Sequence, residues 1–282
     1  MEDDVERAWA SIIGWLGDNA PATAEAIRAP AGEQELADAQ QETGGSWPAD
    51  VVAFYRLCNG TERSSAGYLL PGFCPLPLHG PHQLGSVTGS WSWRQEWLAD
   101  AAREWAAQPP DPREENLRRV AGLGPAPNPF DTTELDAAPA GTRAMLWLPS
   151  WLPIAEDQSG SLLVCDRRWK PRTHHGAVAE FDREEGFSQD APWRSLSALA
   201  SATFTALRTG RAVSGTRLHP VAVGSRLTWD VAARDPLELP DGVTVELPVD
   251  AGWTALPDTD LEVTARSTSH SIELRYRRRP AP

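Results

Sequence analysis

The sequence predicts an α+β domain followed by a small all-β appendage, and three observations carry that reading. Apolar residues recur at helical spacing through the first sixty residues and again over 84–106. Four short apolar runs, each bounded by turn residues, follow between 145 and 182, and one more helical pattern closes the block before Gly210. From 215 onward apolar and polar residues alternate between Pro, Gly and Asp turns. Helices, then strands, then a helix is the order of an α+β domain. The expected domain therefore covers 1–210 and the appendage 215–282, a division that 282 residues comfortably supply.

Taken in order, Val5, Trp9, Ile12, Ile13 and Leu16 mark a first amphipathic helix that stops at residues 18–21. A second, over 33–43, is rich in Glu, Gln and Ala and ends on Gly44 and Gly45. Pro48 opens a third over 49–58, and Asn59-Gly60 is its stop. Segments 67–73 and 76–78 read as short strands or extended segments broken by prolines. Over 84–106 a longer helix carries Trp93, Trp97, Ala101 and Trp105 at intervals of four, a stripe expected to face the core. Residues 107–142 are rich in proline and charge and read as a surface insertion with one short helix near 114–120. The runs 145–148, 152–155, 161–166 and 177–182 form an antiparallel meander. Leu196, Leu199, Phe204 and Leu207 mark the closing helix, 195–209. In the appendage, strands are expected at 218–223, 225–231, 243–247, 261–265 and 271–276.

Charge narrows the function classes. The formal net charge is −13, and residues 1–200 hold 29 acidic against 16 basic side chains, whereas 201–282 hold 10 of each. Such a surface repels phosphate backbones and draws a basic partner at long range, so direct nucleic-acid binding is not expected. Cys58, Cys74 and Cys165 are odd in number and widely spaced, with no CxxC pair, which predicts a cytoplasmic setting without disulfide staples. An acidic start and the lack of any apolar run of about 18–20 residues predict neither export nor membrane insertion. Phosphate-cradling loops, dinucleotide fingerprints, nucleophile elbows and HExxH are all missing, so neither catalysis nor a cofactor is expected. His79 with His82, and His174 with His175, lack the i, i+4 spacing of a helical zinc site. His219 and His270 stand alone, and no metal is expected.

The candidate site lies in the meander. Glu156 and Asp157 precede the turn 158–160, while Asp166, Glu180 and Asp182 lie on the following strands. Converging carboxylates can act as general acid and base or hold a divalent cation. An Asp before a glycine turn also binds its own backbone two residues on. Turn and interface roles are the reading adopted. Trp151, Trp169 and Trp193 flank the same strands, and an aromatic beside carboxylates is a grip for an arginine-rich partner.

Two blocks make the pattern recognisable. The segment AGEQELADAQQETGGSWPADVVAFYRLCNG, residues 31–60, supplies Trp47, Pro48, Asn59 and Gly60. LPIAEDQSGSLLVCDRR (152–168) with GAVAEFDREEG (176–186) supplies Ile154, Asp157, Gly160, Asp166, Gly176, Val178 and Asp182, and SLSALASATFTALRTG (195–210) closes the domain. In these motifs residues 5–210 resemble the Smi/Knr family of the SUKH superfamily. The resemblance implies an antiparallel sheet packed with helices and a role in protein binding without catalysis. Family members include bacterial immunity proteins that neutralise toxins, often nucleases, and fungal regulators of cell-wall synthesis. The insertion at 107–142 and the β-rich module at 215–282 depart from the family core.

Three functions follow as expectations. The first is an immunity-type protein whose acidic, tryptophan-bearing face, with Glu156, Asp157, Asp166, Trp151, Trp169, Glu180 and Asp182, docks a basic toxin. The second is a housekeeping adaptor of the same fold, with the β module binding another partner. The third is a hydrolase using Glu156, Asp157 and Asp182.

Overall fold

The fold is described from a computed structural model, over residues 2–80, 85–109, 111–157, 159–169, 175–182, 186 and 190–231, and the strand segments 237–238, 244–245, 254–255, 261–267 and 272–278. The protein is α+β. In α1 (Glu2–Asn19), Trp9, Ile12 and Leu16 are fully buried, as their spacing requires, while Ile13 falls on the flank and is 38% exposed. After the short α2 (Pro21–Glu25) come α3 (Glu33–Glu42) and α4 (Ala49–Leu57), with Pro48 at the N-cap of α4. Trp9, Phe54 and Tyr55 stack on one another with centroids 4.8 and 4.9 Å apart, joining α1 to α4.

The main sheet has the antiparallel order β1-β2-β3-β4, from β1 (Cys74–Pro75), β2 (Trp151–Glu156), β3 (Leu162–Asp166) and β4 (Ala177–Phe181). Register pairs Glu156 with Leu162 and Leu162 with Phe181, which places these three on one face; Ala155, Leu163 and Glu180 share the other. A register shift between Pro153 and Ala155 marks a bulge in β2. Nearly every residue of β2 and β3 is buried, because helices cover both faces. On one side α5 (Val87–Ala107) packs on β2, and its Arg94 guanidinium lies 5.0 Å from the Phe181 ring and 5.7 Å from Trp147. On the other, α4 and α8 (Leu196–Thr209) close the core together with α1.

Several elements differ from expectation for definable reasons. The runs 67–73 and 145–148 are apolar without being strands. The first contains only a bridge between Leu70 and Phe73, and the second lays Trp147 and Leu148 into the core from irregular backbone. The stripe on α5 is not a core face: the buried residues of this helix are Val87, Thr88, Ser90 and Leu98, none of them in the stripe, and Trp97 is 44% exposed with Phe130 of the insertion against it at 6.2 Å.

The insertion divides in two. Its helix α6 (Pro112–Val120) has no buried residue. From within α7 (Thr133–Ala137) onward, residues 135–142 are tied to the sheet by a buried ion pair. Asp166 accepts hydrogen bonds from Arg168 Nη2 (2.7 Å), the backbone N–H of Gly141 (2.7 Å) and that of Arg168 (3.0 Å). Arg168 donates onward to Leu135 O and Thr142 O.

The chain separates into two compact units after Asp230. The hairpin β5 (Leu218–Val223) and β6 (Arg226–Val231) packs on the first: Leu227 is fully buried there, its N–H donates to Thr23 Oγ1 (2.9 Å), and Trp229 Nε1 donates to Tyr68 O (2.9 Å). The second unit contains β7 (Leu237–Glu238) paired with β8 (Thr244–Val245), and an antiparallel sheet of β9 (Thr254–Ala255), β10 (Leu261–Ser267) and β11 (Ile272–Arg278). The all-β ending is therefore present. Among the described residues no helix is long and apolar enough to cross a membrane.

Candidate functional site

The site grows from the turn between β2 and β3. Asp157 Oδ1 accepts the backbone N–H groups of Ser159 and Ser161, both at 2.8 Å, and the Ser159 hydroxyl closes on the same carboxylate. Gly160 takes the left-handed conformation (φ 89°) that this turn needs. Ser161 Oγ then donates to Asp182 Oδ2 at 3.2 Å, which brings the ends of β2 and β4 together. Asp157, Glu180 and Asp182 thus gather at one end of the sheet. Glu180 is exposed, and its carboxyl is pushed above the ordinary range, first by partial burial and then by the charges of Asp157 and Asp182.

Glu156 turns to the opposite face. Its side chain is 13% exposed, Oε1 accepts from Arg63 Nη2 at 3.1 Å, and Oε2 is buried without a hydrogen-bond partner among the described residues. Burial, opposed by Arg63 and reinforced by Asp157, raises its carboxyl pKa. Beside it lies a cleft of about 290 Å³ between the 61–68 loop, the Pro75-Leu76-Pro77 segment and the Glu156-Asp157 step.

Three of the expected interface residues do not belong to this site. Trp151 is fully buried and stacks against Trp147 (5.9 Å) and Phe181 (5.6 Å), so it is a core residue. Asp166 is 1% exposed and is consumed by Arg168. Trp169 is 58% exposed with its ring 4.9 Å from His175, but it lies past the far end of β3. The five residues of β3 put roughly 13 Å of strand between that end and the carboxylates. Trp193 is buried and donates to Ser214 O.

The remaining motif residues build the scaffold that holds the site. Trp47 Nε1 donates to Thr43 Oγ1 (2.9 Å). Asn59 accepts from Leu78 N and donates to Glu35, both at 2.8 Å. At Gly60 (φ 73°) a Cβ would sit 2.5 Å from the Leu76 carbonyl carbon. A Cβ at Gly176 (φ 93°) would press on Pro48 at 3.2 Å, so the two sequence blocks meet in space.

Arg63, Tyr68 and Arg94 were not marked by any sequence pattern. Arg63 lies 93 positions from Glu156, a separation no local spacing can signal. Among the described residues no group of three His, Cys, Asp or Glu is arranged to hold a metal ion. Gln158, Lys170, His82, His174 and His270 lie outside the described residues.

No protein-family model matches the chain, and no curated protein matches it.

Proposed function

We propose that this chain is a non-catalytic protein-binding protein that neutralises a basic toxin, such as a nuclease, through the acidic end of its sheet. The observation that carries the reading is the gathering of Asp157, Glu180 and Asp182 at one end of the sheet, where partial burial first and then the charges of the other two raise the Glu180 carboxyl. A patch of mutually repelling carboxylates gains when a cationic surface covers it. The excess of 29 acidic over 16 basic side chains in residues 1–200 adds long-range attraction for the same partner. The resemblance to Smi/Knr proteins supplies the immunity role. Asp157 spends its hydrogen-bonding capacity on its own turn, which favours scaffolding over acid–base work.

Affinity capture from the native host, with mass spectrometry, tests the reading. Wild type is expected to retain one basic protein, and Glu180→Gln/Asp182→Asn is expected to lose it while melting cooperatively at a temperature no lower than wild type. Undiminished capture by the double variant, or a hydrolase activity that disappears in it, would overturn the proposal. A housekeeping adaptor is the second reading, favoured by the separate β unit after Asp230, which offers another surface. A toxin gene beside this one selects the first reading.

A further inference from the structure

We propose that the cleft beside Glu156 receives an arginine side chain of the partner, in the place that Arg63 now fills. This rests on the protein-binding reading and locates one anchor point within it. At about 290 Å³ the cleft is at the small end of ligand pockets, suited to a single long side chain. Pro75, Leu76 and Pro77 form an apolar wall that can take the methylene stem. The same cleft is lined by the Glu156 and Asp157 carboxylates and by the Arg63 guanidinium.

Arg63 satisfies Glu156 incompletely. It reaches only Glu156 Oε1, at 3.1 Å, and leaves Oε2 buried and unpartnered among the described residues. Its own side chain is 65% exposed, whereas that of Glu156 is 13% exposed, so the acceptor is fixed in the wall while the cation lies loosely across the mouth. An ion pair with one partner so exposed is weak and easily exchanged. Burial raises the Glu156 carboxyl pKa, and the charges of Arg63 and Arg94 offset that only in part. A guanidinium suits the seat better than an ammonium, since its planar fork can reach both oxygens of the Glu156 carboxylate at once.

The test is an NMR titration of the full chain with acetyl-Gly-Arg-Gly-amide, its lysine counterpart and its norleucine counterpart. Saturable shifts at Tyr68, Leu76 and Ser159 are expected with the arginine peptide, at millimolar Kd, weaker with lysine and absent with norleucine. Glu156→Gln should weaken binding at least fivefold, and Arg63→Ala should leave it equal or tighter. Absence of saturation, shifts of the same size with norleucine, or lysine binding as tightly as arginine would overturn the assignment. Loss of binding in Arg63→Ala would do so too, because the cleft would then recognise an anion. The peptide comparison and Arg63→Ala decide the matter even if Glu156→Gln fails to fold. Glu180 and Asp182 do not line this cleft. Loss of partner capture on their substitution with peptide binding absent leaves the docking face standing and removes the cleft; the converse result removes the docking face.

Discussion

At the level of single residues, the carboxylates of this chain divide by how they are compensated. Asp166 lies in a buried pair with Arg168, and Asp50 accepts the N–H of Ser197 at 2.9 Å in the first turn of α8. Asp166→Asn would leave the buried Arg168 guanidinium without its counter-charge, at a cost of about 3–5 kcal/mol, read as a lower midpoint in urea unfolding. Glu180 behaves oppositely. Because its pKa is raised on folding, its favourable contribution is fully present only below the ordinary value of 4.5 and is lost as pH rises through the folded-state value. Glu180→Gln should therefore raise the melting temperature slightly at pH 7 and lose that advantage below pH 4.5. A melting-temperature difference that is constant with pH would contradict this. The turn role of Asp157 was readable from an Asp three residues before a glycine, since that chemistry is local. The burial of Asp166 was not, because Arg168 becomes its partner only once residues 135–142 fold over both.

At the level of elements, local signals located the helices well and some strands poorly. The closing helix, expected at 195–209, forms over Leu196–Thr209, with Ser195 as its N-cap and Gly210 left-handed at its end. The meander formed where turn residues bracket β2, β3 and β4. Apolar runs without alternation, as at 145–148, carry no instruction to pair, and tertiary burial of Trp147 decided their fate. The α5 stripe misled because a neighbouring segment, around Phe130, shares its cover. The β5–β6 hairpin has an alternating pattern that shows a strand but not what the strand covers. Leu227 is its one fully buried side chain, in the same cluster as the core of the α+β unit. Leu227→Ala should cost about 2–5 kcal/mol, as a buried leucine does, and chemical denaturation should show it in the main transition.

At the level of the whole molecule, the change of pattern at 215 is visible in the sequence, whereas the division of contacts comes only after Asp230. The intervening hairpin is bound to the first unit by more than one kind of interaction. Ser225 O accepts from Ala22 N, Thr23 Oγ1 from Leu227 N, Tyr68 O from Trp229 Nε1, and Arg226 Nη1 donates to Ser65 Oγ. Two of these reach the 61–68 loop that walls the Glu156 cleft, so the hairpin helps position the proposed anchor site. A chain ending at 210 would expose the surface that Leu227 covers and leave the Thr23 hydroxyl and the Tyr68 carbonyl without these donors. A chain ending at 230 keeps all of them. The 1–230 fragment should accordingly melt in one cooperative transition close to that of the main transition of the full chain. The 1–210 fragment should melt several degrees lower, since each 1 kcal/mol shifts a domain of this size by about 2–4 °C. Differential scanning calorimetry of the two fragments separates the cases: equal melting temperatures would show that the hairpin only decorates the unit, and a molten 1–230 fragment would show that the core needs residues 231–282.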